Sequence, residues 1–477
     1  MKFLKFHFIL LCFVCVGSYA KGPSPYLPLK VAPLIELELN RLATLAKLPV
    51  LTKPYHAATV NRYLEKIINT HPTLYKRIST YLKRYKKDAA FTHAAVQLNY
   101  ADTKNILLPN QRGQLADAKY QASFSGFWQV NQYFIINGGG RYYEGGEYLK
   151  TNSFASFGFD VAQVDIGYRE HWVSPFQEGA VLLSTQAKPP LSVTISNPKL
   201  ITDYNLKYEI SFGKLDTHND IRFDRDEPVI SGKPALLMMH FSLQPLDWWT
   251  IGFNRTLMFG GDDKVGLSDI WKGIIDPVNN DNCGGEGTDL QDCSKELGNQ
   301  QASISNKFDL NWFNTPLSIY YEYAGEDTNN YTNYGLSNVA HSLGFFIPYL
   351  NEDMSLNMEF STFESAWYTH HIYGEGYSND GVKMGHWWGS MKDPKDKVGG
   401  KAGSIRFDWQ NSGESQISAL YRTARFNDSS FADYQQSHEL ELNYTHVVET
   451  GFIGAKLYVG RNNYGENFVQ TSVSYSW

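Results

Sequence analysis

Apolar and polar residues alternate strictly through many short segments of the chain after Phe91. The pattern appears in residues 96–100, 164–168, 206–210, 308–312, 356–360, 405–409 and 440–444. Because successive side chains of a strand point to opposite faces, each segment predicts a β-strand with one apolar and one polar face. The chain is therefore predicted to consist mainly of such strands.

The composition limits what these strands can build. Aromatic residues make up 15% of the 477 residues, and charged residues make up 19%. A disordered chain would have few aromatic residues, and a helical membrane protein would show repeated apolar runs of about 20 residues. A soluble β-sandwich and a membrane β-barrel remain.

The connections between the predicted strands are of two kinds. Short turns are predicted at residues 245–247, 314–316, 351–353, 411–413 and 449–451, and longer polar loops near residues 259–300, 326–338, 373–401 and 427–437. Trp248, Trp312 and Trp409 border short turns, as an aromatic girdle at one rim of a membrane barrel would. This distribution favours an outer-membrane barrel over a soluble sandwich, which keeps most aromatic bulk inside.

The last predicted strand has an outward stripe that ends in an aromatic residue. The stripe consists of Val469, Thr471, Val473, Tyr475 and Trp477. It resembles the signature that the bacterial outer-membrane assembly machinery recognises. The repeating pattern gives about eighteen strands, an even number that places both ends of the chain on the short-turn side of the barrel.

The N-terminal region differs from the barrel region in charge. Residues 1–20 have the basic start, the apolar core and the small residues of a secretory signal peptide. Residues 21–90 contain 13 Lys/Arg and 4 Asp/Glu, so their net charge is +9. The whole chain carries −6 and the first 20 residues carry +2, so residues 91–477 carry −17. This acidic region argues against nucleic acid as a partner.

The basic region, residues 21–90, is predicted to be a small three-helix module. Apolar residues recur at helical spacing in three pieces that begin near Pro33, Pro54 and Pro72, and proline is tolerated at the first position of a helix. The basic run at residues 83–87 has two interpretations, a solvated helix end and a contact with anionic lipid headgroups.

Cys283 and Cys293 are the cysteines left after removal of the predicted signal peptide. They lie in a stretch rich in Gly, Asp and Asn. In an oxidising compartment this spacing predicts a disulfide that closes the loop. A zinc site is the alternative, but two thiols without a nearby histidine fall short of the usual four ligands.

Several motifs resemble the Wzi family of capsule-assembly outer-membrane proteins. The central motif is residues 167–175, continuing through 182–187 to 196–198, and the further matches are residues 248–255, 259–261, 378–381 and 385–387. With the signal peptide, the helical module and Trp477, the resemblance covers nearly the whole mature chain. It implies an eighteen-stranded barrel with the helical module at its periplasmic mouth.

The resemblance also implies a lectin-like role, without catalysis, in attaching capsular polysaccharide to the cell surface. We expect a monomer whose partners are this polymer, the lipid of the outer membrane and, during biogenesis, the assembly machinery. The long loops are expected to be extracellular.

Polysaccharide binding requires aromatic faces for sugar rings and planar polar groups for hydroxyls. The predicted long loops provide both, and the candidate contact residues are Trp271, Tyr331, Tyr334, Tyr373, Tyr377, Asn379, Asp380, Trp387 and Trp388. Packing inside the loops or anchoring at the membrane interface is the alternative role for each aromatic residue. In the central motif, Arg169, Glu170 and His171 predict an ionic structural network in the lumen, with direct ligand contact as the alternative.

No cofactor is predicted. An acidic surface would repel an acidic polymer, so bridging by divalent cations is a hypothesis. A solute pore is a second function class, because eighteen strands can enclose a water-filled lumen. Catalysis is disfavoured, because the sequence shows no nucleophile elbow, P-loop or zinc motif at a strand–helix junction.

Overall fold

A computed structural model shows a closed antiparallel barrel, preceded in the chain by three short helices. The structure describes residues 22–30, 32–144, 148–223, 228–261, 298–328, 335–411 and 414–477. The predicted signal peptide and the loop that carries Cys283 and Cys293 lie outside the described residues.

Eighteen strands close the barrel, which confirms the predicted fold and strand number. They are β1 Ala89–Ala101, β2 Tyr120–Asn131, β3 Phe134–Tyr143, β4 Ser153–Phe159, β5 Ala162–Tyr168, β6 Leu191–Ser196, β7 Lys207–Lys214, β8 Ala235–Leu246, β9 Trp249–Phe259, β10 Gly298–Trp312, β11 Thr315–Thr328, β12 Leu336–Ile347, β13 Met354–Phe363, β14 Gly400–Asn411, β15 Ser415–Phe426, β16 Ser437–Val448, β17 Gly451–Arg461 and β18 Asn467–Ser476.

Each strand pairs with its neighbours in chain order, and β1 pairs with β18 to close the barrel, with Val96 opposite Tyr475. A further two-residue strand, Tyr148–Leu149, extends the sheet beside β3. Closure follows from the membrane environment, because an unpaired strand edge in lipid would leave backbone polar groups without hydrogen bonds.

The two ends of the barrel differ in the length of their connections. Short turns such as residues 132–133, 160–161, 247–248, 313–314 and 449–450 share one end, here called the short-turn end. The longer connections share the opposite, long-loop end. Trp248, Trp312, Trp409 and Trp477 lie at the short-turn rim and are 37% to 59% exposed.

The alternating pattern places apolar side chains outside and polar ones inside. On β1 and β18, Leu98 and Val473 face outward and are 63% and 57% exposed, whereas Ser472 faces inward and is buried. An apolar exterior and a polar lumen match a barrel surrounded by lipid. None of the described helices has both the length and the apolarity needed to cross a membrane.

The helices are α1 Pro33–Leu45, α2 Ala57–Leu64 and α3 Pro72–Leu82. Proline occupies the start of α1 and of α3, where its missing N–H has no helical partner to lose. Helix α2 begins at Ala57 rather than near Pro54, because Thr52–Lys53 form a short strand that pairs with Trp172–Val173.

The helical module packs into the short-turn end of the barrel. Its core contains Leu42, Val60 and Ile78 and continues onto the barrel residues Phe127 and Ile135. A polar contact fixes the end of α1: the Nζ of Lys307 donates to the carbonyl oxygens of Ala43 and Leu48, at 2.9 and 3.1 Å. The Ala43 carbonyl also accepts the backbone N–H of Leu48 at 2.9 Å, so the lysine adds a second hydrogen bond there and ties the end of the helix to the barrel wall.

Candidate functional site

The connection between β5 and β6, residues 169–190, folds into the lumen and is called here the luminal loop. Its residues 169–187 are buried almost without interruption. Within it, Trp172–Val173 pair with Thr52–Lys53 of the module, so the loop extends from the long-loop end of the barrel to the module at the short-turn end. Loop and module together occupy this part of the lumen.

A buried ionic network ties the start of the luminal loop to the wall. Arg169 donates to Glu209 at 2.8 Å and lies 3.4 Å from Asp165. The Nδ1 of His171 lies 2.8 Å from the same Glu209 carboxylate. The guanidinium of Arg169 also stacks on Tyr26 of the N-terminal segment, 4.3 Å from the ring centroid.

Glu170 points away from that network and pairs with Arg112, in the connection between β1 and β2. The side chains of both residues are 1% exposed. Neighbouring residues of an extended chain point in opposite directions, so Arg169 and Glu170 form ion pairs with different partners instead of with each other. The predicted cluster is thus two networks on two sides of the loop.

Carboxylates also hold the middle of the luminal loop. Glu178 pairs with Arg406 at 3.0 Å and with Arg422 at 3.2 Å. Glu359, on β13, accepts the backbone N–H groups of residues 177–179 at 2.7 to 3.0 Å. The loop therefore satisfies its buried charges and its backbone through the barrel wall, as burial requires.

The connection between β13 and β14, residues 364–399, covers the long-loop end and is called here the capping loop. Four predicted contact residues, Tyr373, Tyr377, Trp387 and Trp388, lie inside it and are 0% to 2% exposed. The Trp388 ring stacks on Phe363, with centroids 4.4 Å apart. The burial favours the packing alternative for these four residues, because a polymer outside the barrel cannot reach side chains in the loop's core.

The capping loop rests directly on the luminal loop. The Tyr368 hydroxyl donates to the carbonyl oxygen of Val181 at 2.6 Å and accepts the backbone N–H of His386 at 2.9 Å. A Cβ atom at Gly179 would collide with the His386 ring, so the lack of a side chain allows this close approach. The two loops form one packed layer below the outer surface.

Burial lowers the pKa of two titratable groups of the capping loop. Burial lowers the pKa of His386 to about 3, and its Nδ1 accepts the backbone N–H of Trp388 at 3.2 Å. Burial, aided by the positive charge of Lys392, lowers the pKa of Lys383 to about 7. The Nζ of Lys383 donates to the carbonyl oxygen of Tyr368 at 3.0 Å.

The remaining predicted contact residues of this loop differ in exposure. Asn379 is buried and joins loops: its amide donates to the carbonyl oxygen of Lys188 and accepts the N–H of Asp216, at 2.9 and 2.8 Å. Asp380 is 63% exposed and pairs with Lys188 at 2.7 Å. Within the described parts of the chain, no group of three or more His, Cys, Asp or Glu residues is placed to hold a metal ion.

Several predicted residues have no structural description. Trp271, Tyr331 and Tyr334, proposed for sugar contact, and the Cys283–Cys293 pair lie outside the described residues. Their roles stay predictions.

An aromatic pair lies near the outer surface, and its exposed member, Tyr464, was not among the predicted contact residues. Tyr434, before β16, and Tyr464, between β17 and β18, have ring centroids 5.8 Å apart, and Tyr464 is 53% exposed. The Tyr434 hydroxyl accepts the backbone N–H of Asp393 at 3.0 Å. The sequence signal for Tyr464 is its loop, Asn462 to Glu466, whose Asn, Gly and Glu residues are typical of an exposed turn.

The barrel is closed, its exterior is apolar, and its lumen contains the chain's own module and loops. These features place the protein in the class of outer-membrane β-barrel proteins with an occupied lumen. Residues 84–467 match the family model described as capsule assembly protein Wzi. The match spans most of the chain, which therefore belongs to this family and confirms the resemblance found in the sequence.

Solved structures share the fold. A structure of Wzi from Escherichia coli, described as an outer-membrane protein involved in group 1 capsule assembly and a carbohydrate-binding β-barrel, superposes with a TM-score of 0.69. The two chains are 18% identical over 93% of this chain and 97% of that chain. OpdQ from Pseudomonas aeruginosa gives a TM-score of 0.50 at 10% identity, over 82% and 97% of the chains. A comparison with curated protein sequences finds no match.

Proposed function

We propose that this protein retains capsular polysaccharide on the outer surface of a Gram-negative cell, as a lectin-like binding protein without catalysis. Membership of the capsule-assembly family supports a role in capsule assembly. The Escherichia coli relative, described as a carbohydrate-binding barrel, supports the ligand class. In this proposal the short-turn end faces the periplasm and the long-loop end faces outward, as in other barrels of the outer membrane.

The observation that carries the proposal is the packed layer across the barrel. The luminal loop meets the module at Trp172–Val173 and meets the capping loop at Val181. A polymer arriving from outside therefore contacts the surface of the long loops instead of threading the lumen. The same layer argues against a solute pore, and steady, selective conductance of the full mature chain in planar bilayers would support the pore instead.

The aromatic pair Tyr434 and Tyr464 is the described feature best suited to bind a sugar ring. Tyr464 presents an aromatic face at the surface, and Tyr434 lies beside it, half-buried against Phe426, so the apolar C–H face of a sugar can pack on the pair. Carboxylates and amides nearby can bond the hydroxyls, and Asp433 and Asp393 are exposed on the adjoining loops. Trp271, Tyr331, Tyr334 and the exposed Asp380 remain proposed contributors to the same outer surface.

Divalent cations are a further part of the proposal. Residues 91–477 carry a net charge of −17, which would repel an acidic polymer unless cations lie between the two. Polymer binding by the purified protein at low salt should then weaken on chelation and recover with added Ca²⁺ or Mg²⁺. Binding that is unchanged by chelation would remove the cations from the proposal.

Deletion of the gene in its own host tests the proposed role. The deletion strain should make the polymer in normal amount but release it into the medium, and the unaltered gene should restore attachment. A strain that makes no polymer would instead indicate a role in synthesis or export.

A further inference from the structure

One part of the lumen is left open by the module and the loops. A cavity of about 260 Å³ lies between the N-terminal segment and the inner faces of β1, β2 and β14–β18. Its size approaches the lower end of the range for small-molecule sites, about 300–1,000 Å³. Polar side chains line it, among them Gln97, Ser123, Gln416, Ser418, Asn443 and Ser474.

The cavity is closed on one side and accessible on the other. Toward the long-loop end, an apolar cluster seals it; the cluster consists of Leu108, Ala116, Tyr458 and Phe468. Along β18, the inward side chains change from Gln470, which is fully buried, to Ser474 and Ser476, which are partly exposed. The cavity therefore faces the short-turn end, opposite the outer surface proposed for polymer attachment.

Buried polar atoms without partners are found on residues that line this cavity. Among the residues that the structure describes, the Oε1 atoms of Gln121 and Gln416 accept no hydrogen bond, and the Nε2 of Gln114 and the Nε of Arg422 donate none. In both glutamines the amide nitrogen does form a hydrogen bond: the Nε2 of Gln416, for example, donates to Asp408 at 3.0 Å. Burying a polar atom without a partner is costly, so a ligand that satisfies these atoms gains affinity.

The mixture of unpartnered donors and acceptors selects the ligand class. A hydroxyl group donates one hydrogen bond and accepts others, so a polyol can satisfy amide oxygens and guanidinium nitrogens together. An anion such as phosphate offers mainly acceptor oxygens and carries a net negative charge, so it suits the glutamine oxygens less well. The charges agree, because the lining has five Lys/Arg and four Asp/Glu residues and is thus nearly neutral.

We propose that this cavity is a binding site for a single neutral sugar unit, open to the short-turn end and separate from the outer surface. The site is defined by the lumen of this chain alone, and it does not depend on the proposed attachment of polymer at the long loops.

Saturation-transfer NMR on the full mature protein tests the site. The protein is held in a polyoxyethylene detergent, since sugar-based detergents would compete. The probes are glucose, galactose and mannose, observed through their C–H protons, and inorganic phosphate, observed through the line width of its phosphorus signal. Saturable binding of at least one sugar is expected. Binding of phosphate alone, or saturable binding of none of the three sugars, would overturn the proposal.

Two substitutions and a matched control locate the binding. Ser474→Trp fills the cavity and should abolish sugar binding, whereas Val473→Trp, the next residue on the lipid-facing side, should leave it unchanged. Gln416→Leu removes one acceptor and should weaken binding about three- to tenfold, the value of one hydrogen bond. If Ser474→Trp fails to fold, as judged by its gel mobility with and without heating, Gln416→Leu decides.

Unchanged sugar binding in a folded Ser474→Trp protein would place the sugar outside the cavity and contradict the proposal. If that variant does not fold, unchanged sugar binding in Gln416→Leu would contradict it. Tyr204→Ala, which changes an exposed tyrosine outside both the cavity and the proposed polymer surface, should not alter monosaccharide binding. The cavity and the polymer site can each fail without the other, because the cavity variants are assayed with monosaccharides and the outer-surface variants with polymer.

Discussion

The luminal loop and the capping loop fill one barrel with different chemistry. The luminal loop is held by charges, with Arg169, Glu170 and Glu178 each paired to an oppositely charged side chain. The capping loop is held by aromatic packing around Trp388 and Tyr377. An ion pair stabilises a loop only where both charged groups are within contact distance, whereas aromatic packing requires that the side chains fill the available space. Ion pairs thus fix the luminal loop to the barrel wall, and packed aromatic side chains fill the capping loop above it.

Removing one partner of a buried ion pair should have the largest effect on stability. Glu170→Ala leaves the guanidinium of Arg112 buried without its carboxylate. We expect a loss of about 3–5 kcal/mol in the free energy of unfolding, because an unpaired buried charge is costly. Urea unfolding in detergent micelles, followed by tryptophan fluorescence, measures the change.

The double variant Arg112→Met/Glu170→Leu is the control, and it should recover most of that loss by replacing the pair with apolar groups. A double variant as unstable as Glu170→Ala would mean that the pair itself stabilises the loop.

Truncation in the capping loop should cost somewhat less. Trp388→Ala removes a ring stacked between Phe363 and Phe426. The expected loss is about 3 kcal/mol, the lower end for a buried tryptophan, because a loop can collapse into the space more readily than a barrel wall. The same unfolding measurement applies.

Trp388→Phe keeps a stacked ring and should lose far less. A loss below about 1 kcal/mol for Trp388→Ala would show that the aromatic layer adds little to stability, against the comparison drawn above.

Acid should weaken the capping loop through His386. Its pKa is about 3 in the folded protein against an ordinary value of 6.5, so the unfolded chain binds the proton more tightly. The stability from neutral His386 is therefore complete above pH 6.5 and is lost as the pH falls toward 3, by about 2 kcal/mol at pH 5.

His386→Asn retains a side-chain acceptor for the backbone N–H of Trp388 but does not titrate in this range. Unfolding measured at pH 7, 6 and 5 should show a smaller loss for this variant than for the unaltered protein. Equal losses would assign the acid sensitivity to other groups.

The smallest effect on stability is expected at the outer surface. Tyr464→Ala should change the free energy of unfolding by about 0.5 kcal/mol or less, since this side chain lies outside both loop cores. A loss near that of Trp388→Ala would make Tyr464 part of the packed layer and not a free binding face.

The sequence predicted the barrel well because alternation is a local property and closure is forced by lipid. It could not predict contacts made across the lumen. Glu170 and Arg112 are 58 residues apart, and the start of α2 depends on strand pairing with Trp172–Val173. Burial of Tyr377 and Trp388 was equally hidden, since an irregular loop has no periodicity to separate core from surface.

Binding of purified mature protein to capsular polymer from its own host tests the central claim most directly. We expect the unaltered protein and Tyr204→Ala, which changes an exposed tyrosine near the short-turn end, to bind this polymer equally well. Tyr434→Ala/Tyr464→Ala, still folded by gel mobility, should bind it about tenfold more weakly. Equal binding by all three proteins, or no binding by the unaltered protein, would contradict the account.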